Sequence, residues 1–403
     1  MPKPVSPQPL PSAPAPDAVR EALRAVMDPE LRASIVELDM VKEVSVSDDG
    51  LVTVDVALTT LGCPLRAEIR RAVAAEVATL PGIRDVEVNW VEMTEEEKAT
   101  VMQRARVNAR ANAPDTMVPS TARVLAVASG KGGVGKSSVT VNLAAALAGR
   151  GLRVGVLDAD IWGFSVPRML GLEGRLSGAD GKIHPNRRKV DAGGELEVVS
   201  MGFLVDDEAS ALMWRGLILN RAVEQFLTDV RWGADLDYLL VDMPPGTGDV
   251  QMGLARMLPQ AEMLVVTTPA LAAQRVAARV ADMARKSAMP LIGVVENMSE
   301  LVTPAGERIA VFGRGGGAAL AAEIGVPLLA QIPLEPDVAA GGDAGAPVAW
   351  SGPGSAAGRA FVDLAAAIAT ELLPPVEMAG CTARILETAL ANLEDRDAEG
   401  VPG

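Results

Sequence analysis

The sequence predicts an α/β protein whose mostly parallel sheet carries helices on both faces, preceded by a small α+β domain. Three observations support this fold class. Five apolar segments alternate with helical segments at the spacing of β-α-β units, and runs that are apolar throughout suit parallel strands covered on both faces. A glycine-rich segment with a lysine follows the first of them. Earlier in the chain, valines alternate with polar residues around an Asp-Asp-Gly turn, which indicates a β-hairpin.

Composition excludes several classes of partner. The formal net charge of −15 disfavours nucleic acid and anionic membrane surfaces. Aromatic residues make up only 3% of the chain, too few to predict a stacking platform for single-stranded nucleic acid. The two cysteines form no disulfide framework, which fits a reducing compartment. Neither a signal peptide nor a transmembrane run is evident, so we expect a cytoplasmic protein.

Changes in composition divide the chain into five parts. We predict a disordered proline-rich tail at 1–16, an α+β domain at 17–94, and a linker at 95–122 that is helical in part. An α/β domain follows at 123–372, and a tail with a short helix occupies 373–403.

The first domain carries one residue of chemical interest, Cys63. It follows a predicted strand and precedes Pro64 and a helix that ends at Pro81. A thiol at a helix N-terminus has a lowered pKa, which favours metal ligation or sulfur transfer. The alternative is a small buried apolar side chain, the common fate of a free cysteine.

The glycine-rich segment matches the phosphate-loop pattern G-x-x-x-x-G-K-[ST], and a strand precedes it while a helix follows. Glycines let successive backbone N–H groups turn toward phosphate oxygens, and the helix N-terminus adds its positive dipole. Lys136 is expected to reach the β- and γ-phosphates, and Ser137 to hold Mg²⁺. The predicted ATP-binding residues of this segment are Gly130, Lys131, Gly132, Gly133, Val134, Gly135, Lys136, Ser137 and Ser138.

Three aspartates follow apolar strands, where α/β sheets place their ligands. We predict that Asp158 contacts Mg²⁺ and that Asp160 positions the attacking water. Asp242 fits a Walker B carboxylate for Mg²⁺, and the Pro-Pro-Gly-Thr-Gly loop after it fits a sensor of the γ-phosphate. The alternative for Asp158 and Asp160 is a pair of helix caps.

Two further features are expected to carry no chemistry. His184 is the only histidine, which excludes histidine-rich metal sites and makes a Ser-His-Asp hydrolase implausible. The triple glycine 315–317 is expected to be a loop, because no Lys-Ser or Lys-Thr follows it.

Taken together, the motifs from Arg123 to Ile368 resemble those of the Mrp/ApbC iron–sulfur cluster carrier ATPases. The first domain resembles the MIP18-like domain often fused ahead of that ATPase, through DPEL, LTTLGCP and PGIRDVEV. The segments that carry the ATPase resemblance are DADIWGFSVPRMLG, VDMPPGTGD, VVENMS, FGRGGG and QIPLEPDVAAGGDAGAPV.

This resemblance implies further roles. The sequence GKGGVGKSS is similar to the deviant Walker A of dimerising ATPases that include MinD and ParA, in which Lys131 would reach a phosphate across a homodimer interface. The catalytic set would then be Lys131, Lys136 and Asp160. Asn297 would recognise adenine; its alternative is a turn or cap residue. The family implies ATP hydrolysis, a role for Cys63 in cluster maturation, and clusters passed to apo-proteins alongside assembly factors.

One departure concerns the cluster itself. Many members of that family place CxxC between ENMS and FG-GGG, whereas residues 299–313 here read SELVTPAGERIAVFG. Iron–sulfur ligation normally needs thiolates, so the usual cluster site is absent from its place. Cys63 and Cys381 are the only thiols, and a bridging cluster would take ligands from two protomers or from a client.

Two other functions stay open. One is a metal-free adaptor that uses ATP-dependent dimerisation to hold partners, which the missing CxxC favours. The other is a MinD- or ParA-like positioning ATPase. The acidic C-terminal helix argues against the second, since it suits neither a membrane nor DNA.

Overall fold

The computed structural model describes residues 13–29, 31, 33–58, 65–111, 113–160, 163–179, 181–204, 216–303 and 307–375. The chain forms two compact units. The first comprises Met1–Ala113 with Lys286–Met289, and the second comprises Pro114–Arg285 with Pro290–Gly403. Among the helices of the described ranges, none combines the length and the apolar character needed to cross a bilayer.

The first unit is a three-stranded sheet with helices. Its elements are α1 (Pro16–Ala22), a 3₁₀ turn (Leu23–Ala25), β1 (Val41–Val46), β2 (Leu51–Leu58), α2 (Arg66–Val77), β3 (Asp85–Glu92) and α3 (Glu95–Ala111). The central strand β2 pairs antiparallel with β1 and parallel with β3. The β1–β2 hairpin turns at Gly50, whose φ of 81° favours glycine. Alternate β2 valines, Val52, Val54 and Val56, are fully buried, as the alternation predicts.

Helix α3 lies where the sequence predicts a linker. Its first turn carries a capping box, because the Glu97 N–H donates to Thr94 Oγ1 and the Glu97 carboxylate accepts from the Thr94 N–H at 2.8 Å. Val101 and Ala105, one turn apart, are buried in the core of the first unit. The unit therefore extends to Ala113, beyond the boundary near residue 94 that the apolar pattern indicates.

The second unit is built on an eight-stranded sheet. Its strands, in spatial order, are β15 (Leu328–Gln331), β12 (Leu291–Glu296), β11 (Glu262–Thr267), β4 (Arg123–Ser129), β10 (Tyr238–Asp242), β5 (Arg153–Asp158), β9 (Glu195–Ser200) and β8 (Asn186–Lys189). Only the edge pair β8–β9 is antiparallel within this sheet. The predicted fold class, a mostly parallel sheet with helices behind a small α+β domain, is confirmed.

Shorter strands and the helices complete this unit. Two small hairpins are β6 (Ser177–Ala179) with β7 (Lys182–His184) and β13 (Leu301–Val302) with β14 (Arg308–Ile309). The helices are α4 (Lys136–Ala148), α5 (Val166–Met169), α6 (Gly216–Thr228), α7 (Asp249–Met257), α8 (Leu271–Lys286), α9 (Gly316–Ile324), α10 (Pro336–Asp343), α11 (Val348–Ser351) and α12 (Ala356–Ala367). Gly316 and Gly317 thus begin a helix, so the loop expected for the triple glycine is wrong at two of its three residues.

Helix α4 lies at the centre of the unit, and every residue from Val139 to Ala148 is buried. It packs against α11 and α12 as well as neighbouring strands. A helix that is buried on all sides is held by its surroundings rather than by one amphipathic face. Its N-terminus is therefore fixed at the carboxyl edge of the sheet.

Candidate functional site

The carboxyl ends of three adjacent strands, β4, β10 and β5, form the floor of the site. Asp242 ends β10 and pairs in register with Asp158, which ends β5. Ser129 ends β4 and leads directly into the glycine-rich loop. Parallel strands bring their carboxyl ends to one edge, and this edge is where such sheets bind ligands.

The phosphate loop takes backbone conformations that glycine favours. Gly133 and Gly135 have φ values of 80° and 78°, in the left-handed region. A Cβ on Gly132 or Gly133 would meet no atom within 4 Å, so this part of the loop is open. Gly130 differs, because a Cβ there would lie 2.4 Å from the Ala277 nitrogen of α8. Gly130 permits close packing, whereas Gly132 and Gly133 leave the loop open for a ligand.

Lys136 brings the positive charge of the site. Its side chain is 5% exposed, and Nζ lies 2.8 Å from Asp242 Oδ1 and 3.4 Å from Asp160 Oδ2. The Ser137 hydroxyl lies 3.3 Å from the same nitrogen. The structure therefore brings together four residues that the sequence predicts for the site: Lys136, Ser137, Asp160 and Asp242.

Two hydroxyl groups hold Asp242. Ser137 Oγ donates to Asp242 Oδ2 at 2.6 Å, and Thr140 Oγ1 lies 2.8 Å from Asp242 Oδ1. Thr140 Oγ1 also lies 3.0 Å from the Lys136 carbonyl oxygen one helical turn earlier. Sequence reasoning missed Thr140, although its spacing of four residues from Lys136 places it on the same face of α4.

Asp158, like Asp242, is a buried carboxylate. Ser200 Oγ, at the end of β9, donates to Asp158 Oδ2 at 2.9 Å and accepts from the Gly202 N–H. Burial, and then the neighbouring Asp242 charge, raises the pKa of Asp158 to about 7. Burial also raises the pKa of Asp160 above its ordinary value. Ser200 was missed as well, because only the β5–β9 pairing brings it to Asp158.

The donor set around Lys136 consists of carboxylate and hydroxyl oxygens. Such hard oxygen ligands suit Mg²⁺, which usually keeps waters and takes substrate phosphate oxygens as further ligands. Within the described ranges, no group of three or more histidine, cysteine, aspartate or glutamate side chains converges on a metal site. The set fits a cation shared with a phosphate ligand rather than an all-protein cage.

The remaining predicted residues are placed as follows. Lys131 is exposed, and its carbonyl accepts from Ser129 Oγ at 3.1 Å. Ser138 lies in the first turn of α4. Asn297, directly after β12, is buried, and its Nδ2 donates to the Val134 carbonyl of the phosphate loop at 2.9 Å.

His184 lies in β7, in the small β6–β7 hairpin. Cys63 and Cys381 lie outside the described residues. The roles assigned to individual residues remain predictions.

Comparison with known proteins decides the family. The profile described as NUBPL iron-transfer P-loop NTPase matches residues 120–369. The chain belongs to this family. A second profile, described as iron-sulfur cluster assembly protein, matches residues 16–90. The resemblance to iron–sulfur cluster carrier ATPases with an added N-terminal domain is thereby confirmed.

Relatives of this P-loop NTPase extend over nearly the whole chain. A Mycobacterium bovis protein named iron-sulfur cluster carrier protein is 46% identical, across 88% of this chain and 93% of its own length. Proteins of the same name from Synechocystis and Bacillus subtilis are 41% and 40% identical, covering 88% and 80% of this chain and 96% and 89% of their own lengths.

Among solved structures, an ADP-bound nucleotide-binding protein from Archaeoglobus fulgidus is 35% identical, with a TM-score of 0.47 over 55% of this chain and 86% of its own.

Proposed function

We propose that this chain binds ATP with Mg²⁺ at the phosphate loop, hydrolyses the ATP, and uses the reaction to carry or assemble iron–sulfur clusters. One observation carries the nucleotide part. The Lys136 ammonium and the Ser137 hydroxyl converge on Asp242 at the N-terminus of a buried helix. Both the polarity and the fixed geometry of this group suit a triphosphate.

Each residue then has a role. Backbone N–H groups of residues 130–138 would surround the phosphate oxygens, and Lys136 would pair with the β- and γ-phosphates. Ser137, Asp242 and Asp158 would hold Mg²⁺, which when bound neutralises charge on those phosphates. Asp160, 3.4 Å from Lys136 Nζ, would orient the attacking water.

Replacing Lys136 tests the nucleotide part. Lys136→Ala is expected to lower ATP turnover by about a hundredfold or more, because it removes the cation that pairs with the transferred phosphate. The measurement is phosphate release at saturating Mg²⁺-ATP, with circular dichroism to confirm folding. Lys189→Ala, an exposed lysine of β8, is the matched control. Wild-type turnover in folded Lys136→Ala would exclude the phosphate-loop assignment.

We further propose that the working form is a homodimer in which Lys131 reaches the partner's nucleotide. The exposure of Lys131 supports this, since its side chain does not join the carboxylates around Lys136. Mixed Lys131→Ala and Lys136→Ala protomers should then show an activity different from the mean of the two. Averaged activity, together with a mass by light scattering that ATP leaves unchanged, would favour a monomeric enzyme.

The cluster would be cargo, passed to apo-proteins. The iron-transfer family and the names of the relatives support this role. The hairpin region at 299–313 contains no cysteine, so the ligands would come from Cys63, Cys381 or the client.

The same lack of cysteine favours a second function, a metal-free adaptor that dimerises with ATP. Anaerobic reconstitution with iron and sulfide separates the two. A carrier should show charge-transfer absorbance and bound iron that apo-acceptor removes. Iron at the level of a bovine serum albumin control would leave the adaptor as the better account.

A further inference from the structure

The loop after Asp242 is Pro244–Gly248, here called the 244–248 loop. It follows Walker B strand β10 and precedes α7. Its central residue, Gly246, has a φ of 94°, which glycine alone adopts readily. The Gly246 N–H donates to the Ser129 carbonyl at 2.9 Å, which ties the loop to the end of β4.

Gln251 of α7 also forms hydrogen bonds with the 244–248 loop. Its residue is 1% exposed, and Nε2 donates to the Pro244 carbonyl at 2.7 Å and to the Gly246 carbonyl at 2.6 Å. Its Oε1 accepts from the Gly248 N–H. These partners fix the orientation of the amide, because carbonyl oxygens only accept and a backbone N–H only donates.

Helix capping alone does not require this residue type. A capping box needs a side-chain oxygen to accept from the N-cap N–H, and glutamate supplies one as well as glutamine does. At position 251 both N–H donors point to the loop that precedes α7. A glutamate here would repel the same two carbonyl oxygens. The Gln251 amide therefore stabilises the conformation of the loop as well as capping the helix.

Ser129 connects this loop to the phosphate loop. Its carbonyl accepts from Gly246, and its hydroxyl donates to the Lys131 carbonyl at 3.1 Å. Ser129 is fully buried, so both contacts are shielded from water. One residue thus fixes the distance between the 244–248 loop and the Lys131 end of the phosphate loop.

We infer that Gln251 is a positioning residue, which holds the 244–248 loop in the conformation needed for ATP hydrolysis. Through the contacts of Ser129, it also fixes the position of this loop relative to Lys131. This inference rests on the proposed ATPase function. Because Gln251 touches loop backbone rather than nucleotide, it should affect turnover more than nucleotide affinity.

The test compares two variants of Gln251. Gln251→Glu keeps the capping oxygen and loses both donors, whereas Gln251→Met loses all three hydrogen bonds. Both are expected to lower kcat about tenfold or more, while the Kd for ADP changes less than about twofold. Hydrogen exchange of residues 243–250 should become faster in both. Gln225→Glu and Gln225→Met, at an exposed position of α6, are the controls.

Three other outcomes would overturn the inference. Normal kcat in folded Gln251→Glu, with only Gln251→Met impaired, would leave a capping role alone. Equal losses of kcat and ADP affinity would indicate general disruption of the site. If the wild-type chain hydrolyses no ATP, the proposed function fails, and hydrogen exchange alone tests whether Gln251 positions the loop. An ATP analogue should then protect residues 243–250 in wild type and less in Gln251→Glu, and equal protection in both would overturn the inference.

Discussion

The carboxyl edge of the sheet and the β13–β14 hairpin belong to the same unit but differ in burial and in the kind of side chain they carry. At the edge, Lys136 and Asp242 are buried and hydrogen-bonded. In and just after the hairpin, apolar side chains are 38–49% exposed, at Val302, Ile309, Val311 and Phe312. Residues proposed for nucleotide chemistry lie at the carboxyl edge, whereas residues 299–313, which include the hairpin, contain no cysteine. Nucleotide chemistry and cluster handling are therefore expected to be separable in this chain.

The largest effect is expected at the edge, for Asp242→Asn. The change removes half of the ion pair with Lys136 and a ligand proposed for Mg²⁺, so turnover should fall by about two to three orders of magnitude. Phosphate release measures this, and Asp191→Asn in an exposed turn is the control. Turnover within about threefold of wild type would contradict the role given to Asp242.

A smaller loss is expected for Asn297→Ala. An asparagine amide matches the hydrogen-bonding edge of adenine, so ADP affinity should fall about tenfold while GDP affinity changes less. Calorimetric titration with both nucleotides measures this. An equal fall for ADP and GDP would instead assign Asn297 to support of the phosphate loop, through its 2.9 Å bond to the Val134 carbonyl.

The sequence indicates which residues lie at the carboxyl edge of the sheet, but not the residues that hold them in position. The phosphate loop and Asp242 are local patterns, since a loop between a strand and a helix must present its backbone at the sheet edge. Ser200 and Gln251 act through contacts that depend on strand order and loop path, which no short pattern encodes. Helix α3 lies wholly within the predicted linker, because its sequence is polar and, among its described side chains, the buried ones are Val101 and Ala105.

Asp158→Asn should change the stability of the folded chain as well as its ATP turnover. Because the folded pKa is raised from 3.8 to about 7, the folded state binds a proton more tightly than the unfolded state. The stability that this proton contributes is present at low pH and is lost as pH rises through about 7. The substitution should therefore raise the melting temperature at pH 8 by about 3 °C or more, and by less at pH 5. Calorimetry without nucleotide or metal measures this.

The control for that measurement is again Asp191→Asn. An equal gain at both pH values would mean that the Asp158 carboxyl is not the titrating group. A loss of stability at pH 8 would mean that its charged form is well accommodated by Ser200.

Iron content and turnover, measured together in Cys63→Ser, test most directly whether nucleotide chemistry and cluster handling are separable. After anaerobic reconstitution, Cys63→Ser should retain less iron per chain than wild type and transfer less to an apo-acceptor. Its ATP turnover should stay within about twofold of wild type, because every residue proposed for the nucleotide site belongs to the second unit. Cys381→Ser, measured alongside, shows whether the second thiol also contributes to iron retention. Unchanged iron retention and transfer in Cys63→Ser, or turnover that falls in parallel with them, would contradict this separation.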